Sequence, residues 1–176
     1  SKLKNMLVKF EGQPAENVTS KDIVLYFIGL IGTAGGTGYA IEFAGSYIED
    51  ISVESRMTIC NMAIEAGAKV GLIAPDKTTI DYVREKSFLD TKNLEKAENY
   101  WLQLKTDNGA KFEKEIVIDV SKIKPQVTWG TSPEMVVNFD DEIPTSSKSS
   151  EDASKNIELA REYMLSLIHI SEPTRR

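Results

Sequence analysis

Residues 56–67 have the sequence RMTICNMAIEAG, the most informative stretch of this 176-residue chain. Apolar residues occupy nearly every side of a helix built from it, which predicts a buried helix running from about Ser52 to Ala66. Gly67 comes next, and glycine is the residue best suited to a left-handed C-terminal cap. We therefore expect a buried helix that ends at Gly67.

A narrow polar stripe interrupts this apolar helix. Thr58, Asn61 and Glu65 fall at positions i, i+3 and i+7, so their side chains share one side of the helix. A buried carboxylate without a partner is costly, so Glu65 needs one. The spacing leaves two interpretations open: a structural hydrogen-bond network involving Arg56, or one wall of a polar active site whose other walls come from elsewhere.

The segments on either side alternate between predicted strands and predicted helices, which is typical of an α/β domain. Apolar patterning and turn residues predict strands over residues 6–11, 39–43, 70–74 and 115–120. Helices are predicted from a cap at Thr19 or Ser20 up to Gly32, from Asp76 or Thr78 through residue 84, and over residues 94–104. We therefore predict an α/β/α domain with a mixed sheet.

Composition changes along the chain predict its organisation. We assign a domain to residues 1–124, a linker with the start of a following domain to 125–150, a weak helix to 151–166 and a tail to 167–176. The tail looks like a translated sequencing adapter and is left out of the fold prediction. It contains His169, the single histidine, so the remaining residues offer no imidazole as a base or metal ligand.

Charge and cysteine content exclude several classes of function. The net charge of −6 argues against nucleic-acid and anionic-membrane partners, so small molecules or proteins are expected instead. Cys60 is the single cysteine, so this chain alone cannot build a disulfide framework or a cysteine-based metal or cluster site. A buried structural thiol is favoured over a nucleophile, and a reducing, cytoplasmic compartment fits.

The glycine-rich residues 32–38 (GTAGGTG) are interpreted as a structural turn. A phosphate-binding Walker loop needs Lys-Ser or Lys-Thr after its last glycine. A dinucleotide fingerprint needs a strand before the loop and a helix after it. Here a predicted helix precedes the loop and a predicted strand follows, so phosphate binding is disfavoured.

The run from Glu54 to Lys69, followed by residues 71–79 (GLIAPDKTT), resembles the aconitase superfamily, and within it the large subunits of 3-isopropylmalate dehydratases. Flanking stretches are also similar: residues 19–25, 35–38, 100–101, 111–112 and 125–133. The resemblance covers roughly residues 4 to 144. It implies an aconitase-like middle domain.

The resemblance implies a hydro-lyase of leucine biosynthesis that interconverts 2-isopropylmalate and 3-isopropylmalate by removing and re-adding water. Such enzymes carry a [4Fe-4S] cluster held by three cysteines and form a heterodimer with a small subunit, the expected partner. In relatives, the asparagine and glutamate of the Cys-Asn-Met-x-x-Glu helix face the site, which carries catalytic roles onto Asn61 and Glu65. No cofactor-binding or metal-binding residue is assigned.

The chain differs from this family because several of the family's motifs are missing from it. The histidine- and aspartate-containing motifs that precede this region in relatives, and the later cysteine motifs, are missing, so we expect an internal fragment that is inactive alone. Two alternatives stay open: homoaconitase or a related (methyl)malate dehydratase large subunit, and a non-catalytic aconitase-fold module.

Overall fold

Four strands form the main sheet of this computed structural model, which describes residues 2–88, 90–144 and 155–164. They are β1 (Lys4–Glu11), β2 (Tyr39–Ala44), β3 (Val70–Leu72) and β4 (Lys114–Asp119), in the order β3-β2-β1-β4. Every described pairing in this sheet is parallel. The predicted α/β class is confirmed, but the sheet is parallel rather than mixed, because helical connections return the chain to the same end of the sheet before each strand.

Five helices connect these strands: α1 (Ser20–Ile31), α2 (Ser46–Asp50), α3 (Val53–Met62), α4 (Lys77–Lys86) and α5 (Thr91–Trp101). Thr19 caps α1 and Asp76 caps α4, each being one of the two candidates that the sequence leaves open, Thr19 or Ser20 and Asp76 or Thr78. The short α2 was not predicted, because five residues are too few to show a helical repeat. None of the described helices is long and apolar enough to cross a membrane.

The core lies between the sheet and helices α1 and α3. Phe10 on β1 is fully buried and stacks on Phe43 of β2, with ring centroids 5.9 Å apart. It also meets Phe27 of α1 edge to face at 6.3 Å and Tyr47 of α2 at 6.5 Å. Offset-stacked and edge-to-face contacts are the favoured arrangements of aromatic rings. One aromatic side chain therefore joins two strands to two helices.

A second, antiparallel sheet of two strands lies against α1. It consists of β5 (Gln126–Thr128) and β6 (Val136–Asn138). The amide of Gln126 donates to Asp22 near the start of α1 at 2.8 Å, and Glu134 accepts from the amide of Thr33, just beyond its end, at 2.8 Å. This pair of strands thus follows α1 along its length, while the domain boundary after residue 124 stays a prediction.

The structure also describes a helix, α6, over residues 155–164, within the stretch 151–166 in which a helix is predicted. Ala160 on this helix is buried, so one side of α6 packs against the protein. The predicted tail, residues 167–176, lies outside the described residues.

Replacing Gly67 with alanine is expected to lower the free energy of unfolding by about 2 kcal/mol or more. Gly67 has a φ of +84°, and a left-handed conformation alone costs a non-glycine residue about 1–2 kcal/mol. A Cβ atom would also lie only 2.6 Å from the carbonyl oxygen of Thr33. Urea denaturation of the 176-residue chain measures the change.

Gly109→Ala is the matched control for this substitution. Gly109 has a nearly identical φ of +82°, but a Cβ atom there would meet no other atom within 4 Å. We expect Gly109→Ala to cost only the conformational part. Equal losses in the two variants would show that close packing around Gly67 contributes nothing.

Candidate functional site

Asn61 and Glu65 lie on one continuous helical segment. Helix α3 ends at Met62 and continues as a 3-10 turn, Ala63–Ala66, before Gly67 closes it in the left-handed conformation. The predicted helix and its glycine end are therefore confirmed, with a tighter last turn. Both side chains are exposed, and within the described part of the chain neither has a hydrogen-bond or ion-pair partner.

The prediction that this helix is buried is wrong for its outer side. Met57 is 45% exposed and Ile64 is 70% exposed, whereas Ile59 and Ala63 on the inner side are buried. Because no described element covers the outer side, Glu65 has access to solvent and needs no buried partner. The outer side thus presents a polar pair, Asn61 and Glu65, next to two exposed apolar side chains, Met57 and Ile64.

Thr58, the third residue of the predicted polar stripe, differs from Asn61 and Glu65 because its side chain has a hydrogen-bond partner within the helix. Its hydroxyl donates to the carbonyl oxygen of Glu54 at 3.1 Å, a common arrangement for threonine within a helix. Thr58 also lines a cavity of about 580 Å³ between the starts of α1 and α3, together with Ser20 and Tyr47. The candidate site therefore consists of Asn61 and Glu65 without Thr58.

A structural network forms around Arg56, as one interpretation predicts, but its partner is Asp76 rather than Glu65. The Arg56 side chain is 5% exposed. Its two terminal nitrogens donate to the two carboxylate oxygens of Asp76 at 2.6 and 2.8 Å. They also donate to the hydroxyl of Thr79 at 3.2 Å and the carbonyl of Glu49 at 3.1 Å. The guanidinium thus joins α3 to the end of α2 and the start of α4.

The pKa of Asp76 reflects this position. Partial burial raises it, but hydrogen bonds from Arg56 and from the amide of Thr79 outweigh burial and hold the pKa below its ordinary value of 3.8. A carboxyl whose pKa is lower in the folded chain stabilises the fold above its unfolded pKa. That stabilisation is lost as the pH falls from about 3.8 through the lower folded pKa.

The glycine-rich loop, residues 32–38, holds the C-terminal end of the helical segment that carries Asn61 and Glu65. The amide of Gly36 donates to the carbonyl of Ala66 at 2.7 Å. A Cβ atom at position 36 would lie 2.8 Å from the same oxygen, so only glycine allows this approach. The loop therefore packs on the 3-10 turn that carries Glu65, in agreement with its interpretation as a structural turn.

Cys60 is half-buried beside this segment. Burial raises the pKa of its thiol to about 11, so the thiol is protonated at neutral pH. A protonated, partly buried thiol is a poor nucleophile and a poor metal ligand. This agrees with the structural role that the sequence predicts.

The sequence marks Arg56 as a possible network residue and Asp76 or Thr78 as a helix start, but no local pattern pairs Arg56 with Asp76. Asp76 is recognisable as a helix cap because Thr78 and Thr79 follow a Pro-Asp turn. The capping oxygen Oδ1 of Asp76 accepts from both the Thr79 amide and Arg56, and Oδ2 accepts from Arg56 as well. Twenty positions separate the two residues, so only the fold brings them together.

Taken together, the parallel sheet and the open polar pair define an α/β domain with a helical site segment at its surface. A sequence model of the aconitase family (aconitate hydratase) matches residues 1–172, and the chain belongs to this family. It is thus an aconitase-fold protein of the hydro-lyase type. The matched range includes residues 167–172, the first part of the tail whose adapter origin stays a prediction.

Members of the aconitase family generally use a [4Fe-4S] cluster, but the residues of this chain do not fit one. A cluster of this kind needs several cysteine thiolates, whereas Cys60 is the single cysteine of this sequence. In the described residues, no three His, Cys, Asp or Glu side chains lie close enough to hold a metal ion. The donor set for a cluster is therefore not built by these residues.

Proposed function

We propose that this chain forms one wall of the active site in the large subunit of a 3-isopropylmalate dehydratase, a hydro-lyase of leucine biosynthesis. One observation supports the proposal most directly. Asn61 and Glu65 are exposed together on a segment that Arg56 and Gly36 hold at either end. Polar side chains that are held in place and have no partner within the described protein are available to a ligand.

The two side chains suit the removal and re-addition of water. A dehydration takes a hydroxyl from one carbon and a proton from its neighbour, and the reverse step returns both. The carboxylate of Glu65 accepts hydrogen bonds from a hydroxyl or a water and exchanges a proton with it. The amide of Asn61 both donates and accepts, so it orients a substrate hydroxyl or carboxylate.

The remaining walls would come from other parts of the enzyme. Met57 and Ile64 lie next to the polar pair and expose apolar surface that a covering protein surface would remove from water. The small subunit is the proposed partner. The [4Fe-4S] cluster would be held by residues outside this sequence, and it supplies a Lewis acid for the leaving hydroxyl when bound.

A substrate comparison tests this proposal. The complete large subunit that contains this chain is produced with its small subunit under anaerobic conditions, and alkene formation is followed by ultraviolet absorbance. We expect 3-isopropylmalate to give the highest kcat/KM among 3-isopropylmalate, homoisocitrate and 2-methylmalate. Preference for either of the other two would assign the chain to a related dehydratase, and failure of all three to react would reject the hydro-lyase proposal.

A further inference from the structure

We propose that Arg56 is a positioning residue for Asn61 and Glu65. Its guanidinium clamps α3 onto α4 and thereby sets the rotation of the helical segment that carries both side chains. The inference rests on the proposed function for its effect on turnover, whereas the clamp itself is a property of this chain. It adds a third residue, remote from the substrate, to the site.

The clamp and the polar pair lie on opposite sides of the same segment. At 3.6 residues per turn in α3, Asn61 projects about 140° around the helix from Arg56. Glu65 follows in the 3-10 turn and is also exposed. Arg56 points into the protein, while the other two are exposed. A rotation of α3 that releases the buried side must therefore move the exposed side by the same angle.

The arrangement requires arginine rather than any cation. The planar fork of a guanidinium meets both oxygens of one carboxylate and still has N–H groups for Thr79 and Glu49. A lysine ammonium is a point charge that cannot make the same pair of parallel bonds. Arg56→Lys thus keeps the charge and removes the geometry.

Burial of the Arg56 side of this ion pair is better explained by positioning than by stability. The Nε atom of Arg56 is buried and has no hydrogen-bond partner in the described protein. Desolvating charges and leaving a donor unpaired offsets much of the attraction, so a buried ion pair is weak support for stability. The directional bonds from Arg56 to Asp76 and Thr79 instead suit the selection of one arrangement of α3 against the start of α4.

Asp76→Asn separates the clamp from helix capping. Asp76 accepts from the amide of Thr79 at 3.0 Å and so caps α4. Asparagine caps helices about as well as aspartate does, so this variant keeps the cap and removes the ionic bond to Arg56. Both Arg56→Lys and Asp76→Asn should therefore loosen α3 while α4 still forms.

The single cysteine reports the state of α3 without reference to activity. Cys60 lies on α3 between Arg56 and Asn61, and its thiol is half-buried. In the 176-residue chain under native conditions, we expect Arg56→Lys and Asp76→Asn each to speed alkylation of Cys60 by iodoacetamide about tenfold, the factor expected for losing one charge-assisted hydrogen bond. The double variant should be no faster than the faster single variant, because both remove the same contact.

Arg84→Lys is the matched control. Arg84 makes a comparable fork to Glu98, at 2.9 and 2.6 Å, but this pair joins α4 to α5 and does not touch α3. We expect the control to leave the alkylation rate of Cys60 unchanged. An equal rise in Arg84→Lys would overturn the proposal, because the effect would then be general loosening.

Other results would overturn the clamp as well. An unchanged rate in Arg56→Lys or in Asp76→Asn would show that α3 is held without the pair. Loss of the native near-ultraviolet circular dichroism spectrum in both variants would show that the pair maintains the whole fold rather than one orientation.

Turnover measurements distinguish the positioning role of Arg56 from the proposed function of the chain. In the assembled enzyme, Arg56→Lys should lower kcat on the order of tenfold to a hundredfold with KM nearly unchanged, as expected when reacting groups are misplaced by up to about 1 Å. Faster alkylation with unchanged kcat would overturn the positioning role while leaving the clamp in place. An inactive wild-type enzyme with the expected alkylation rates would instead reject the proposed function.

Discussion

Glu65→Gln is expected to lower kcat of the assembled enzyme by about 10²- to 10⁴-fold, the usual contribution of a positioned acid–base group. Glutamine keeps the size of the side chain and its carbonyl acceptor but cannot exchange a proton. The exposed Glu65 side chain has no partner within the described protein, so no structural interaction is lost with the charge. Steady-state isomerisation of 3-isopropylmalate, with cluster content matched between preparations, measures the effect.

Glu54→Gln serves as the control for this prediction. Glu54 is another exposed carboxylate in the first turn of the same helix, two turns and about 10 Å along the axis from Asn61. We expect its removal to leave kcat within about twofold, which corresponds to the usual small effect of a surface substitution. Loss of activity in both variants, or in neither, would remove the catalytic role assigned to Glu65.

Stability distinguishes a catalytic loss from an unfolded enzyme. In the 176-residue chain, Glu65→Gln should change the free energy of unfolding by no more than about 0.5 kcal/mol, because the side chain is at the surface. A much larger destabilisation would show that Glu65 has a structural role.

Phe10→Ala is expected to lower the free energy of unfolding of the 176-residue chain by about 3–5 kcal/mol, the range for removing a large aromatic side chain from a core. Phe10 is fully buried and contacts Phe27, Phe43 and Tyr47. Its removal leaves a cavity that the parallel sheet cannot close, since β1 is hydrogen-bonded on both sides, to β2 and β4. Urea denaturation followed by circular dichroism measures the change.

Phe139→Ala provides the comparison for this core substitution. Phe139 is the same residue type but is 76% exposed, so little apolar surface returns to water when it is truncated. Its expected cost is below about 0.5 kcal/mol. If Phe10→Ala were as mild as Phe139→Ala, the aromatic cluster would not be the centre of the core.

Local chemistry accounts for the elements that could be predicted. The caps of α1 and α4 are Thr19 and Asp76, each one of the two candidates predicted, and Gly67 ends the segment that carries Glu65. Each of these signals lies within a few residues of the structure it specifies, because a cap bonds to amides in its own first turn and a left-handed residue closes its own helix. Asn61 and Glu65 could likewise be placed on one helix from their spacing.

Long-range contacts account for the features that could not be predicted from the sequence. The apolar side chains within residues 56–67 predicted that every side of the helix is buried, yet Met57 and Ile64 are exposed. Apolar patterning does not distinguish a side that packs in the core from a side that no other element covers. The sheet is parallel rather than mixed, since pairing depends on where the chain re-enters the sheet.

The sequence by itself determined the α/β class, the helix that ends at Gly67 and the presence of two polar groups on one helix, because hydrophobic periodicity, capping and backbone freedom act over a few residues. Only the tertiary structure decided which side of that helix faces outward and that Arg56 pairs with Asp76. Both outcomes depend on residues that are distant in sequence and adjacent in space, as Arg56 is to Asp76 at 2.6 Å. Contacts of that kind are set by how the helices pack on the sheet.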